Sequence, residues 1–185
     1  MAESKATSGD TRITCGDILY WPGSGWISGV IKRFDGSPFS HVSLATSSFT
    51  HIEAAAVGVV EKAFLIEDGM WVKRPEVEKE YRWESVIRAR KYTGRPYAFN
   101  SLVVLAAVLE ARKAGWPWYL KWMKWPLIRV ATGGGKKTLI CSELVYRSYR
   151  DAGVNLLTDD PDPDIVTPAM LWTQVPGLEW RARYV

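Results

Sequence analysis

HVSLATSSFTHIEAA, residues His41–Ala55, reads as a β-hairpin: two short extended runs, His41–Ala45 and Thr50–Ala55, flank Thr46-Ser47-Ser48. With the turn centred on Ser47, His41 falls opposite Glu53. Residues that face each other across such a pair point to the same side, with Cβ atoms about 4.5–5.5 Å apart. An imidazole held by a carboxylate has its tautomer and orientation fixed, which is the task of the third member of a catalytic triad. The plainer alternative is a half-buried His–Glu pair that serves only the sheet. His51 shares strand parity with Glu53. It either faces the same cleft and contacts substrate, or is an exposed strand residue without a role.

Upstream of the hairpin, Asp17–Trp21 predicts a strand, broken by Pro22, Gly23 and Gly25. Ile27, Val30, Ile31 and Phe34 are at helical spacing, and Asp35-Gly36-Ser37-Pro38 stops that helix. Downstream, Gly58–Val60, Trp71–Lys73 and Ser85–Arg90 are strand candidates. Tyr97 to about Lys113 predicts a helix that is apolar nearly all round at Leu102–Leu109, with Gly115 closing it. Thr132–Lys137 is a basic, glycine-rich loop. Cys141 opens an amphipathic helix whose face carries Leu144, Val145, Ser148, Tyr149 and Ala152, and Gly153 is its cap. After the acidic loop Asp159–Asp164, Thr167-Pro168 starts a short helix. No repeat or domain linker interrupts this order. The expectation is one α+β domain over 13–185, after a loose terminus at 1–12, with a Trp-rich helical insertion at about 97–130.

Composition bounds the function. The 185 residues are 47% hydrophobic and 24% charged, enough to bury a core and unlike a disordered tail. The net charge of +4 is small, and the basic residues form no single stripe, which argues against nucleic-acid binding. Two cysteines cannot make a disulfide framework, and their spacing matches no zinc motif. The start of the chain has no apolar run of the secretory kind, and Leu102–Leu109 is far short of the about 20 residues that span a bilayer. A cytoplasmic protein is the expectation, with peripheral membrane or virion association as the alternatives.

Cys141 stands at a helix N-terminus just after Lys136-Lys137. Unpaired N–H groups there carry partial positive charge, which favours the thiolate, the nucleophilic form of cysteine. The same groups suit the oxyanion that forms when a carbonyl is attacked. The alternative is a buried structural cysteine. Cys15 lacks this setting and reads as structural. Glu143, two residues on and about 200° round the helix, points away from the thiol and reads as structural too.

Within Trp116–Pro126, Trp118, Trp122 and Trp125 form one helical stripe beside Lys121 and Lys124. Trp with Lys suits a membrane interface, where rings sit at headgroup depth and ammonium groups meet phosphates. Two other readings stand beside it: a lid packed on the core, and the wall of an acyl-binding groove over the thiol in which Trp118 and Trp122 contact substrate.

Gly16-Asp17-Ile18-Leu19, the run Ile31–Val42 with its Ser37-Pro38-Phe39-Ser40-His41-Val42, the segment His51-Ile52-Glu53-Ala54, and Ile140-Cys141-Ser142-Glu143-Leu144-Val145 resemble circularly permuted NlpC-type papain-like hydrolases of the YiiX-like group. The likeness to lecithin–retinol acyltransferase-like enzymes is more distant. It spans roughly Gly16 to Leu171. It implies a small antiparallel sheet or partial barrel packed against the Cys-bearing helix, with Cys141 as nucleophile, His41 as general base and Glu53 as the residue that orients His41. In Gly94-Arg95-Pro96-Tyr97 it marks Tyr97 as a substrate contact; relatives often continue with Asp where this chain has Ala98, so a contact from that Asp is missing here.

The leading expectation is therefore a cysteine hydrolase of the peptidase or amidase type, cleaving an amide or ester through a thioester. Cell-wall peptides and lipid-linked acyl groups are the substrate classes, and no metal or organic cofactor is required. An acyltransferase with the same site and a non-catalytic virion or scaffold module are the alternatives. Oligomeric state is not written in the residues.

Overall fold

The computed structural model describes residues 11–24, 26–97 and 139–183. The expected insertion at 97–130, Tyr97 excepted, lies outside these residues, as do Trp118, Trp122 and the basic loop 132–137.

Among the described residues six strands form one antiparallel sheet: β1 (Ile18–Trp21), β2 (His41–Ala45), β3 (Thr50–Ala55), β4 (Gly58–Ala63), β5 (Trp71–Pro75) and β6 (Gly177–Arg181). Their spatial order is β4-β3-β2-β1-β5-β6. The helices are α1 (Trp26–Asp35), α2 (Lys79–Arg90), α3 (Cys141–Asp151) and α4 (Pro168–Gln174).

Strand alternation sorts the apolar side chains onto two faces. Ile18, Tyr20, Val42, Leu44, Ile52 and Ala54 pack with Val86 and Ala89 of α2 and with Leu144, Val145 and Tyr149 of α3. Leu19, Trp21, Ala45 and Val72 face the other way and are closed over by Phe64, Ile66 and Trp180. The middle of the sheet is thus a buried layer, and polar groups inside it must find partners. Asp17, fully buried at the entry to β1, takes the Arg74 guanidinium at 2.9 Å and the Thr14 N–H at 2.8 Å. Lys73, 1% exposed, donates to the carbonyls of Trp172 and Val175 and pairs with Glu179 at 2.6 Å. That ammonium ties the end of α4 to β5 and β6.

Ser85–Arg90 is a correction: it is the second half of helix α2 and not a strand. Ser85, Val86 and Ala89 form its buried stripe, and Glu84 pairs with Arg88 one turn on at 2.7 Å. The β-branched pair Val86-Ile87 imitates a strand, but burial is at helical spacing. Strand β6 is an addition; its residues are exposed or half-buried, so no run of apolar residues announces it.

Candidate active site

Two pieces of local structure position Cys141. Leu139 pairs with Tyr97 in a short parallel bridge, and its N–H donates to the Pro96 carbonyl at 3.1 Å. Ile140 is extended, and helix α3 then begins at Cys141. The Ser142 hydroxyl donates to the Val166 carbonyl at 2.7 Å, and the Glu143 carboxylate reaches back to the Ile140 N–H. Cys141 is thereby fixed in the first turn, 5% exposed.

The sheet makes room for it. Leu44 pairs with Ile52 and Ala45 with His51, and there the β2–β3 ladder ends, although both strands run on. This register is displaced by two residues from the expected one, so Glu53 lies level with Ser43 and not with His41. A two-residue displacement keeps every side chain on its face, and diagonal neighbours stay within reach of long side chains. Glu53 Oε2 consequently sits 2.7 Å from Nε2 of His41. Along the same diagonal, the Ser43 hydroxyl sits 2.7 Å from Nδ1 of His51. Where the strands part, the Val42 N–H turns to the sulfur of Cys141, as does the Ser142 N–H.

The charges follow from these contacts. Burial pushes the Cys141 thiol up, but the hydrogen bond to His41, the imidazolium charge and the two backbone N–H groups outweigh it, and the thiol ends below its ordinary 9.0. Burial pulls His41 down; hydrogen bonds with Cys141 and Glu53 reverse this and raise it to about 10. Glu53, also opposed by burial, is held at about 2 by His41 and Lys62. Thiolate, imidazolium and carboxylate form one chain of alternating sign. The side chain of His41 is 26% exposed, so the chain opens to solvent at the imidazole.

Three surrounding groups complete the picture. Tyr97 is half-buried next to Cys141; burial and the negative charges of Cys141 and Glu53 push its phenol up, so it remains an O–H donor. The Trp21 ring lies 5.6 Å from that of His41 and 5.1 Å from that of His51, a wall against which both imidazoles rest. Lys62, opposite His51 on β4, places Nζ 2.6 Å from Oε1 of Glu53.

Of the residues singled out in the sequence, Cys141, His41, Glu53 and Tyr97 come together. His51 is not an exposed strand residue: it is 3% exposed, between Trp21 and Phe64, and its Nε2 has no partner among the described residues. Burial lowers it to about 4, so it is neutral. Glu143 turns from the thiol to Arg147 at 2.6 Å. Cys15 is half-buried, its thiol raised chiefly by burial. Trp118 and Trp122 lie outside the described residues. Lys62 and the Val42 amide were missed. Lys62 was findable, because a two-residue turn at Ala56-Val57 puts it on the face of Glu53; a backbone amide leaves no trace in a sequence.

No protein-family model matches the chain, and no curated protein matches it. Among solved structures, it is similar to the crystal structure of the metalloprotein YiiX from Escherichia coli O157:H7, with a TM-score of 0.62 and 16% identity. The match covers 94% of this chain and 99% of that one. The chain has a YiiX-like fold. At this identity the YiiX likeness shows architecture alone. No helix among the described residues is long and apolar enough to cross a membrane.

Proposed function

We propose that this YiiX-like chain is a permuted papain-like cysteine hydrolase that cleaves an amide or ester through a thioester on Cys141. The observation that carries the reading is the unbroken hydrogen-bonded series Cys141, His41, Glu53 at the start of a helix. A lowered thiol beside a raised imidazole is the signature of an activated nucleophile with its base.

With Nε2 of His41 committed to Glu53, Nδ1 serves the sulfur. The thiolate attacks the carbonyl carbon, and negative charge moves to the oxygen. Backbone N–H groups of the first turn of α3, with the Val42 N–H alongside, meet that charge. Collapse breaks the bond to the leaving amine or alcohol, which takes the imidazolium proton and departs. His41, now neutral, removes a proton from water; the hydroxyl oxygen attacks the thioester, and the acid leaves as the thiolate is restored. Glu53 keeps the imidazole aligned throughout.

YiiX is described as a metalloprotein. Among the described residues here, no group of three or more His, Cys, Asp or Glu is arranged to hold a metal ion, and both oxygens of Glu53 are engaged. These residues do not fit a metal centre.

The test is intact-mass analysis after mixing with an activated acyl ester. The expected product is a hydroxylamine-labile adduct on Cys141, absent in Cys141→Ala and slow in His41→Ala. A folded wild type that forms no adduct would overturn the reading. Adding an amine or alcohol acceptor then separates hydrolysis, whose product is the acid, from transfer.

A further inference from the structure

We propose that Lys62 is a positioning residue of this site, locking the Glu53 carboxylate in the orientation that serves His41; the inference rests on the thiol-enzyme reading above. Glu53 does not face His41 across the hairpin but reaches it diagonally, from a position level with Ser43. A carboxylate that reaches along a strand and is held by one oxygen can swing about its terminal torsion, which is broad and roughly two-fold. Lys62 supplies the second anchor. Its ammonium takes Oε1 at 2.6 Å, while Oε2 faces the imidazole at 2.7 Å. The two contacts come from opposite sides, His41 from β2 and Lys62 from β4, with β3 between them.

The surroundings favour this arrangement. Lys62 is 55% exposed and Glu53 only 7%, so the lysine keeps much of its hydration while its charge meets the carboxylate. The adjacent Glu61 is taken by Arg90 at 2.9 Å and does not draw Lys62 away. Lys62 faces His51 across β3 and β4, so its stem borders the buried imidazole. A lysine on an edge strand, remote in sequence from the nucleophile, thus reaches the sulfur through two intermediates.

Lys62→Met keeps the stem and removes the charge; Lys62→Arg keeps both charge and donor. The measurement is the rate of Cys141 alkylation by iodoacetamide against pH, with kcat and KM on an activated acyl ester, in wild type, both variants, Glu53→Gln and His41→Ala. The expected result for Lys62→Met is an acid limb moved to higher pH and a kcat lowered about tenfold with KM little changed, as for loss of an outer partner of a catalytic group. Lys62→Arg should return the limb toward wild type, which mere stem packing would not do. Lys62→Met curves that superimpose on wild type, while those of Glu53→Gln shift, would overturn the role of Lys62 and leave the thiol enzyme standing. A wild type whose alkylation shows no dependence on His41 would remove the thiol-enzyme reading and this proposal with it.

Discussion

Glu53 bonds His41 across the part of the hairpin where β2 and β3 no longer pair, with 2.7 Å between Oε2 and Nε2. The side-chain bridge replaces the missing backbone ladder, and Cys141 enters at the opening. The contact holds the imidazole and also closes the sheet, so its removal has both a kinetic and a structural side.

Glu53→Gln retains a side-chain oxygen but no charge. The carboxamide still holds the ring, though it no longer stabilises the imidazolium. Turnover of an acyl ester should fall about tenfold. His41→Ala removes the base itself and should cost about 10²–10⁴-fold. Steady-state kcat on folded protein checks the ranking, and an equal loss in the two variants would contradict it.

The pH profile should show two limbs. The thiol lies below its ordinary 9.0, so reactivity appears as pH rises through that lowered value. The imidazole is raised to about 10, so protonation of the leaving group fails as pH rises through about 10. In His41→Ala the acid limb of Cys141 alkylation should move up toward the ordinary thiol range. Stopped-flow alkylation against pH checks the acid limb, and kcat against pH on an amide substrate, whose leaving amine needs the proton, checks the basic one.

Glu143 carries a pH dependence of its own. Burial lifts its carboxyl to about 7 from the ordinary 4.5, against the opposing pull of Arg147. The folded chain therefore holds this proton more tightly than the unfolded one. Stability from this group is complete below 4.5 and declines as pH rises through 7. Glu143→Gln should flatten that decline, as read from urea midpoints between about pH 4 and about pH 8.

Ser43 is the partner that the buried His51 has in the sheet. Among the described residues, Ser43→Ala would leave both nitrogens of a neutral, 3% exposed ring unsatisfied. The expected loss is about 1–3 kcal/mol in urea unfolding. A variant as stable as wild type would show that the ring finds another partner.

Much of the site was legible because side-chain alternation survives errors of even number. The expected turn centred on Ser47; the actual one is wider, with the Thr46 and Ser47 N–H groups both donating to the Thr50 carbonyl. That widening moved the register by two residues, yet His41 and Glu53 stayed on one face. Cys141 was legible through the contrast between a loop and an amphipathic helix, and Thr167 through its side chain, which accepts the Met170 N–H at 3.2 Å. Helix α2 was misread because Val86-Ile87 resembles a strand and much of that helix is exposed. The Val42 amide was beyond reach, since its availability depends on where a ladder stops.

The parted end of the hairpin links folding to reactivity. In chain order β1 through β5 precede α3, so on synthesis the Val42 amide at the parted strands precedes the residue that meets it. The sulfur that meets it comes from α3, which follows all five of these strands in the chain. Closing the seam and lowering the thiol are then a single event, because the groups that do both are the same.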